Sequence, residues 1–161
     1  MSGPVLLSVS VIIPVRDEIA RVAAVLSGLQ AQSRQPDQVV VADGRSQDGT
    51  REWLEHAAVI RPWLHIVDNP QRIVPTGLNA ALRAATGDIV ARMDAHADYA
   101  PDYLERVLAV LATRPAVVGV GGTMQTVGVG PWGAAIAAVL SRRFGLGGAR
   151  HRIGGRPRRT D

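Results

Sequence analysis

Short apolar runs alternate with amphipathic stretches along most of the chain. Ser8–Val15 is dense in β-branched residues, whereas Ile19–Ala31 places apolar side chains at helical spacing. This alternation is typical of an α/β fold, in which helices flank a mostly parallel sheet. The predicted strands are Ser8–Val15, Gln38–Ala42, Trp63–Val67, Asp88–Met93 and Ala116–Val120. The predicted helices are Ile19–Ala31, a helix from about Thr50, Thr76–Ala85, Pro101–Ala112 and a stretch around Trp132–Leu140.

Single residues mark the ends of several predicted helices. Thr76 is a candidate N-cap for the third helix, and Gly87 would close that helix. Asp48 is placed to cap the helix that starts near Thr50. Glu18 begins the first helix, where the helix dipole favours an acidic side chain. For Asp48 and Glu18, these structural roles are the alternatives to a role in binding.

Acidic residues follow three of the predicted strands. Asp17 and Glu18 follow the first strand, Asp43–Asp48 contains the acids after the second, and Asp94–Asp98 those after the fourth. In open parallel sheets, ligands bind beyond the carboxyl ends of the strands. Three acidic clusters at one edge of the sheet therefore predict a binding site there.

The cluster after the fourth strand contains a possible metal site. Asp94 and His96 are two residues apart directly after a strand, so both side chains can point to one side. A carboxylate and an imidazole together suit a divalent first-row cation, and the imidazole favours Mn²⁺ over Mg²⁺. Such a cation would neutralise a departing diphosphate. The spacing alone does not distinguish this site from a polar loop in which His96 hydrogen-bonds to the backbone.

The cluster after the second strand suggests nucleotide recognition. Gly44 and Gly49 permit close approach of a ligand to the backbone. Asp43, at the end of the strand, could accept hydrogen bonds from a base or a ribose.

The composition excludes several classes of chemistry. All eighteen Lys and Arg side chains of the 161-residue chain are arginine, and cysteine is absent. A disulfide framework, a thiolate metal site, a lysine-containing P-loop and Schiff-base chemistry are therefore excluded. The four histidines lack the spacing of a zinc site, and no GxSxG or GxGxxG motif is complete. Aromatic residues, 4% of the chain, are too few for a stacking platform, so no nucleic-acid partner is expected.

The charge is distributed unevenly along the chain. Residues 1–141 hold eleven Arg against thirteen acids, whereas residues 142–161 hold seven Arg against one acid. We expect a folded body over 1–141 and a poorly ordered Arg- and Gly-rich tail over 142–161. No apolar run reaches the roughly 18–20 residues of a membrane helix. We therefore expect a cytoplasmic location, with the basic tail as a possible contact to anionic lipid at the inner face of the membrane.

Taken in order, the motifs resemble those of family 2 glycosyltransferases with the GT-A fold. The segments that carry this resemblance are Val11–Glu18, Ala42–Thr50, Gly77–Gly87 and Met93–Ala97. The Asp-Ala-His variant, together with Asn69–Gly77, is most similar to exopolysaccharide glycosyltransferases of the succinoglycan-biosynthesis type. The resemblance covers nearly all of residues 8–155.

This resemblance implies a reaction and a set of site residues. A sugar would pass from a nucleoside diphosphate donor, commonly a UDP-sugar, to a glycan or lipid-linked acceptor with inversion at the anomeric carbon. Pro14 and Glu18 would lie along the nucleoside, and Asp43 would meet the base. Asp94 would contact the ribose or the divalent metal, Mn²⁺ or Mg²⁺, and His96 the metal. The implied nucleotide-sugar-binding residues are Pro14, Val15, Arg16, Glu18, Asp43, Arg72, Asn79 and Asp94.

The chain also departs from the family pattern. His96 stands where most relatives carry the second Asp of a DxD motif. No counterpart is found for the acidic general base that relatives place in their later, acceptor-binding half. The catalytic base is therefore unassigned, and we expect a truncated chain, incomplete on its C-terminal acceptor side.

Two alternatives stay open. A sugar nucleotidyltransferase shares the sheet and the metal-binding acids, but it would normally carry a Gly-rich basic loop where this chain has Arg16, Asp17 and Glu18. The other alternative is a non-catalytic remnant or a donor-binding module, which the missing general base favours.

Overall fold

The computed structural model describes residues 7–114, 116–122, 127–128 and 130–140. Its strands are β1 (Val9–Val15), β2 (Gln38–Asp43), β3 (Leu64–Asp68) and β4 (Ile89–Arg92). Its helices are α1 (Ile19–Gln30), α2 (Thr50–Val59), α3 (Val74–Ala84), α4 (Tyr103–Thr113) and α5 (Gly130–Leu140). The chain divides into two compact units, Met1–Glu105 and Arg106–Asp161. The first unit contains the sheet, and the second contains α5.

The described residues form one four-stranded sheet with the order β3-β2-β1-β4, in which every pairing is parallel. The central strands β1 and β2 are buried along nearly their whole length. Side chains alternate between the two faces of a strand, so burial on both faces requires a continuous apolar sequence. The core contains Val9, Val11, Ile13, Leu26, Leu29, Val39, Val40, Val41, Leu54 and Leu104. The α/β fold with a mostly parallel sheet is therefore confirmed, and the carboxyl ends of its strands lie at one edge.

The predicted fifth strand, Ala116–Val120, is wrong. Ala116 lies in a turn, and the described residues up to Val120 have no strand conformation. β-Branched residues favour strands because they fit a half-buried pleated surface beside a partner strand. Val118 is fully exposed, so its side chain gains no burial against a partner strand.

The ends of α3 also differ from the prediction. The helix begins at Val74 with Ile73 as its N-cap, and no side chain makes a capping hydrogen bond. Thr76 is therefore an early helical residue, and its hydroxyl donates to Asn69 Oδ1 at 2.6 Å. Ala85, rather than Gly87, is the C-cap residue. Similarly, α4 begins at Tyr103, two residues after Pro101.

A buried polar network fixes the end of α3 against the first two strands. The Ser10 hydroxyl, which is fully buried, donates to Gln38 Oε1 at 2.6 Å and accepts from the Gly87 amide at 2.8 Å. Gln38 Oε1 also accepts from the Thr86 amide at 2.9 Å, and Gln38 Nε2 donates to the Ala84 carbonyl at 3.1 Å. These contacts position α3, whose N-terminal end lies at the opposite edge of the sheet.

The predicted tail, residues 142–161, lies outside the described residues. Its boundary at residue 141 therefore stays a prediction. Within the described part of the chain, no helix combines the length and the apolarity needed to cross a bilayer.

Candidate functional site

An open cleft of about 240 Å³ is formed by the segments that follow the four strands. Each strand contributes at its carboxyl end, as expected for a parallel α/β sheet. The cleft is lined by Pro14, Val15, Arg16, Glu18, Gly44, Asn69, Arg72, Ile73, Val74, Arg92, Asp94 and His96.

The structure brings most of the predicted site residues together in this cleft. Those that line it are Pro14, Val15, Arg16, Glu18, Arg72, Asp94 and His96. Two predicted residues do not line it. Asp43 is buried at the end of β2, and Asn79 is exposed on α3.

Asp94 contacts the guanidinium of Arg92 through both of its carboxylate oxygens. Arg92 Nη2 lies 3.1 Å from Oδ1 and 3.3 Å from Oδ2, and Arg92 Nε lies 3.2 Å from Oδ1. The Asp94 side chain is 31% exposed, and both of its oxygens contact the Arg92 guanidinium. His96 is exposed beside it. A residue with a carboxylate and one with an imidazole therefore line the same cleft.

Tyr99 fixes the backbone of the Asp94 loop. The Asp94 amide donates to the Tyr99 hydroxyl at 2.8 Å, which closes the loop across five residues. The Tyr99 ring lies against the ring of Tyr103, with 5.1 Å between the centroids. Burial raises the pKa of the Tyr99 phenol, and the Asp94 carboxylate acts in the same direction. The hydroxyl therefore stays protonated at neutral pH.

The donor set fits a divalent cation that is shared with a ligand. Among the described residues there is no group of three or more His, Cys, Asp or Glu side chains that could hold a metal on its own. Asp94 and His96 supply two donors in one cleft. Mg²⁺ and similar cations at phosphate-transfer sites commonly take one or two protein ligands and fill the remaining positions with substrate phosphates and water. Two donors beside an open cleft meet that requirement.

Asp43 is held by neighbouring side chains at the end of β2. Its carboxylate is 3% exposed, and Oδ1 accepts from the Ser46 hydroxyl at 2.6 Å. Arg51 Nη1 lies 3.8 Å from Oδ2 and 2.5 Å from Asp68 Oδ1, and Arg51 Nε lies 2.6 Å from Glu55 Oε1. Because these partners surround it, the Asp43 carboxylate is the buried centre of the loop after β2.

The loops after β1 and β2 are joined by direct hydrogen bonds. The Asp17 amide donates to the Ser46 hydroxyl at 2.9 Å, and the Gln47 amide donates to Asp17 Oδ1 at 2.8 Å. The Gly44 amide donates to the Val15 carbonyl at 2.8 Å. A Cβ at Gly44 would lie 3.2 Å from Arg16 Cβ, so glycine permits this close approach.

Three non-glycine residues beyond the strand ends have a left-handed backbone. Asp17, Arg45 and Arg72 have φ values of 54°, 57° and 59°. This conformation is uncommon for residues with a Cβ and persists only where surrounding contacts hold it. The three residues follow β1, β2 and β3, which places the strained positions around the cleft or next to it.

Asn69 organises the loop between β3 and α3. The residue is 4% exposed. Its backbone amide donates to the Asp43 backbone carbonyl at 2.8 Å, and its backbone carbonyl accepts from the Arg72 backbone amide at 3.0 Å. Its side-chain Nδ2 donates to the Ile73 carbonyl at 2.9 Å. A Cβ at Gly77 would lie 2.9 Å from Asn69 Nδ2, so glycine leaves room for this side chain. This loop carries Arg72 to the cleft.

Some cleft residues were not among the predicted binding residues, namely Asn69, Ile73, Val74 and Arg92. Two of them had a local signal. The Asn69-Pro70 pair marks a turn, and this turn follows the third strand at the edge of the sheet where the other predicted site residues lie. Arg92 precedes Asp94 by two residues, so strand alternation places both on one side. Tyr99, which holds Asp94, had no such signal because its contact depends on the path of the loop.

Known glycosyltransferases are similar to this chain in sequence. The profile of the family described as Glycosyl transferase family 2 matches residues 10–155. The succinoglycan biosynthesis protein ExoA of Rhizobium meliloti (strain 1021) is 37% identical, over 96% of this chain and 48% of its own length. An undecaprenyl-phosphate mannosyltransferase of Micrococcus luteus is 30% identical, over 67% of this chain and 46% of its own.

Solved structures share the fold. The mannosyltransferase PcManGT from Pyrobaculum calidifontis, in complex with GDP-Man and Mn²⁺, superposes with a TM-score of 0.63 and 32% identity. That match covers 74% of this chain and 36% of PcManGT. TarS 1–349 of S. aureus superposes with a TM-score of 0.61 at 22% identity, over 74% of this chain and 39% of TarS, which shows likeness of fold.

The chain spans about half the length of the curated relatives it matches. Three of the four motifs that gave the resemblance contribute residues to the cleft, whereas Gly77–Gly87 lies along α3 and beyond its end. The family profile covers most of the chain. The chain belongs to glycosyltransferase family 2 and has the GT-A type of α/β fold.

Proposed function

We propose that this chain supplies the donor and metal site of an inverting glycosyltransferase that uses a nucleoside diphosphate sugar in the synthesis of an exopolysaccharide or cell-envelope glycan. One observation carries the proposal. One open cleft at the carboxyl ends of the strands is lined by Asp94 and His96 together with Arg16 and Arg72.

Different residues of the cleft bind different parts of the nucleoside diphosphate sugar. Pro14 and Glu18 border the nucleoside, and the guanidinium groups of Arg16 and Arg72 bind phosphate oxygens, which they match in charge and geometry. Asp94 and His96 would hold the divalent cation, Mn²⁺ or Mg²⁺. When bound, the cation neutralises charge that develops on the departing diphosphate.

Asp43 supports this arrangement from below the cleft. Its carbonyl accepts from the Asn69 amide, and its carboxylate holds Ser46, so Asp43 joins the loops after β2 and β3. Its predicted contact with the base and that of Asn79 with the donor stay predictions, since neither residue lines the cleft.

The comparisons support the class of donor and the pathway. PcManGT, at 32% identity, is in complex with GDP-Man and Mn²⁺, which is a nucleoside diphosphate sugar together with a divalent cation. ExoA, at 37% identity, takes part in the biosynthesis of succinoglycan, an exopolysaccharide, according to its name. Inverting transfer also needs a base that deprotonates the acceptor hydroxyl, and we assign no described residue to that role.

Thermal melting of the chain with UDP, GDP and Mn²⁺, singly and in nucleotide–metal pairs, tests the donor site. A ligand at one hundred times its dissociation constant stabilises the fold by about 2.7 kcal/mol. We expect one nucleotide together with Mn²⁺ to raise Tm by more than the sum of the two separate shifts. No shift with any nucleotide would mean that the motifs are present without an assembled site, which is the remnant alternative.

Two variants assign that stabilisation to the metal. Asp94→Asn should abolish the part of the shift that needs Mn²⁺, because a neutral amide is a weaker ligand than a carboxylate. Asp98→Asn removes the same charge from an exposed residue of the same loop that does not line the cleft, and it should melt with ligands as the parent does. Equal losses in the two variants would argue against a ligand role for Asp94.

A further inference from the structure

The guanidinium of Arg92 covers the oxygens that a metal would need. It contacts both oxygens of Asp94, with three N···O distances between 3.1 and 3.3 Å. Arg92 and Asp94 both line the cleft. A cation bound to this carboxylate would therefore lie very close to a second positive charge.

The backbone makes this pairing a built-in feature. Arg92 is the last residue of β4, where it lies opposite Ile12 of β1. Side chains two residues apart in an extended chain point to the same side. The exposed positions of β4 are Val90 and Arg92, and Asp94 continues that series just beyond the strand.

We propose that Arg92 is a positioning residue that holds Asp94 when no nucleotide is bound and so opposes the binding of a divalent cation alone. When cation and nucleotide bind together, Arg92 transfers to the diphosphate, and the Asp94 oxygens become available to the cation. This inference rests on the proposed donor and metal site.

Two further properties of Arg92 support such a transfer. Its side chain is 54% exposed, so leaving Asp94 does not require repacking of the core. A diphosphate in the same cleft offers paired oxygens that suit the planar fork of a guanidinium. The diphosphate therefore replaces the contact that Arg92 loses, whereas a cation alone does not.

The consequence is a coupling between the two ligands. A nucleotide that removes Arg92 from Asp94 strengthens cation binding, and by linkage the cation strengthens nucleotide binding by the same factor. Arg92 would thereby limit occupation of the site by the metal in the absence of a donor.

The test measures Mn²⁺ binding directly, from the electron paramagnetic resonance signal of free Mn²⁺, with and without UDP or GDP. The variants are Arg92→Gln, Asp94→Asn and Arg83→Gln. Arg83 is exposed on α3 outside the lining of the cleft, so its substitution controls for the change in net charge.

For Arg92→Gln we expect Mn²⁺ alone to bind about fivefold more tightly, which corresponds to the loss of one partly exposed charge pair. The factor by which the nucleotide tightens Mn²⁺ binding should fall by a similar amount, since the obstruction is already gone. Arg83→Gln should match the parent in both measurements.

Mn²⁺ affinity that is unchanged or weaker in Arg92→Gln would overturn the proposal. If Asp94→Asn loses Mn²⁺ at the same time, the donor and metal site stands and the role of Arg92 fails. If Arg92→Gln binds Mn²⁺ more tightly but no nucleotide binds to any variant, the opposition by Arg92 stands and the proposed function fails. If no variant binds Mn²⁺, both fail.

Should Arg92→Gln not fold, as judged by circular dichroism, Arg92→Lys replaces it. A lysine keeps the charge but loses the two-point contact, so Mn²⁺ alone should bind with an affinity above that of the parent. Parent-like affinity in Arg92→Lys would count against the two-point contact as the cause.

Discussion

At the scale of single residues, Asp48 links the beginnings of two helices. Its Oδ1 accepts from the Thr50 amide at 3.0 Å and the Thr50 hydroxyl at 2.6 Å, and its Oδ2 accepts from the Ile19 amide at 3.0 Å. The hydrogen bonds from Thr50 and Ile19 lower the pKa of the Asp48 carboxyl. Asp48 is not the N-cap residue of either helix, because Gly49 takes that position in α2 and Glu18 in α1. Its carboxylate nevertheless accepts from the first backbone amide of both helices.

The lowered pKa makes the contribution of Asp48 depend on pH. Between the lowered folded value and the ordinary value of 3.8, the unfolded chain binds more protons than the folded one. The stabilisation is therefore fully present above the ordinary value and is lost as pH falls through the folded pKa. We expect Asp48→Asn to lower the free energy of unfolding at pH 7 and to have a smaller effect at pH 3, measured from urea unfolding at both values.

Asp98→Asn is the matched control, because Asp98 is exposed and caps no helix. An equal loss of stability at pH 7 and pH 3 in Asp48→Asn would show that the ionised carboxylate makes no special contribution.

The same scale shows what a sequence can say about an individual side chain. The position of Asp43 at a strand end was predictable from the apolar run before it. Its burial was not predictable, because that depends on Ser46 and Arg51 closing over the carboxylate. Tyr99 was missed for a related reason, since its hydrogen bond to Asp94 requires the loop to fold back.

At the scale of elements, Gly87 sets the distance between the end of α3 and β1. A Cβ at this position would lie 2.6 Å from the Ser10 backbone nitrogen, which cannot move without disturbing the strand. We therefore expect Gly87→Ala to lower the free energy of unfolding by about 1–3 kcal/mol. Urea unfolding measures this difference.

For Gly28→Ala we expect the opposite effect, an increase in the free energy of unfolding. Gly28 lies in α1, and nothing is found within 4 Å of a Cβ built there. An alanine should increase stability by about 0.5–1 kcal/mol, because glycine in a helix loses more conformational freedom on folding. If Gly87→Ala were as stable as Gly28→Ala, the close contact with Ser10 would not limit the packing of α3.

The strands show which secondary structure could be predicted from the apolar pattern of the sequence. β1 and β2 were predictable because buried parallel strands need continuous apolar sequence. β3 and β4 are partly exposed edge strands that were predicted from shorter apolar runs. The bounds of all four shifted by at most one residue. The run Ala116–Val120 has the same local character but no strand conformation. Local sequence indicates that a segment is apolar and β-branched. A strand also needs a neighbouring strand to pair with, which the local sequence does not reveal.

At the scale of the whole molecule, the site is a product of the sheet. Pro14, Gly44, Asn69 and Asp94 are far apart in sequence, and they meet in one cleft because parallel strands end at one edge. This convergence was predictable once the parallel sheet was predicted. The hydrogen bonds of Asn69 were not predictable, because they depend on side-chain placement inside the assembled cleft. Strand alternation indicated that Arg92 and Asp94 share one side, but not that their side chains are in contact.

The most direct test of this account is calorimetric titration of the full chain with UDP and with GDP, in Mn²⁺ and again after chelation with EDTA. The account predicts that one nucleotide binds in Mn²⁺, that chelation abolishes the binding, and that fresh Mn²⁺ restores it. Nucleotide binding that survives chelation unchanged would contradict the metal role of Asp94 and His96.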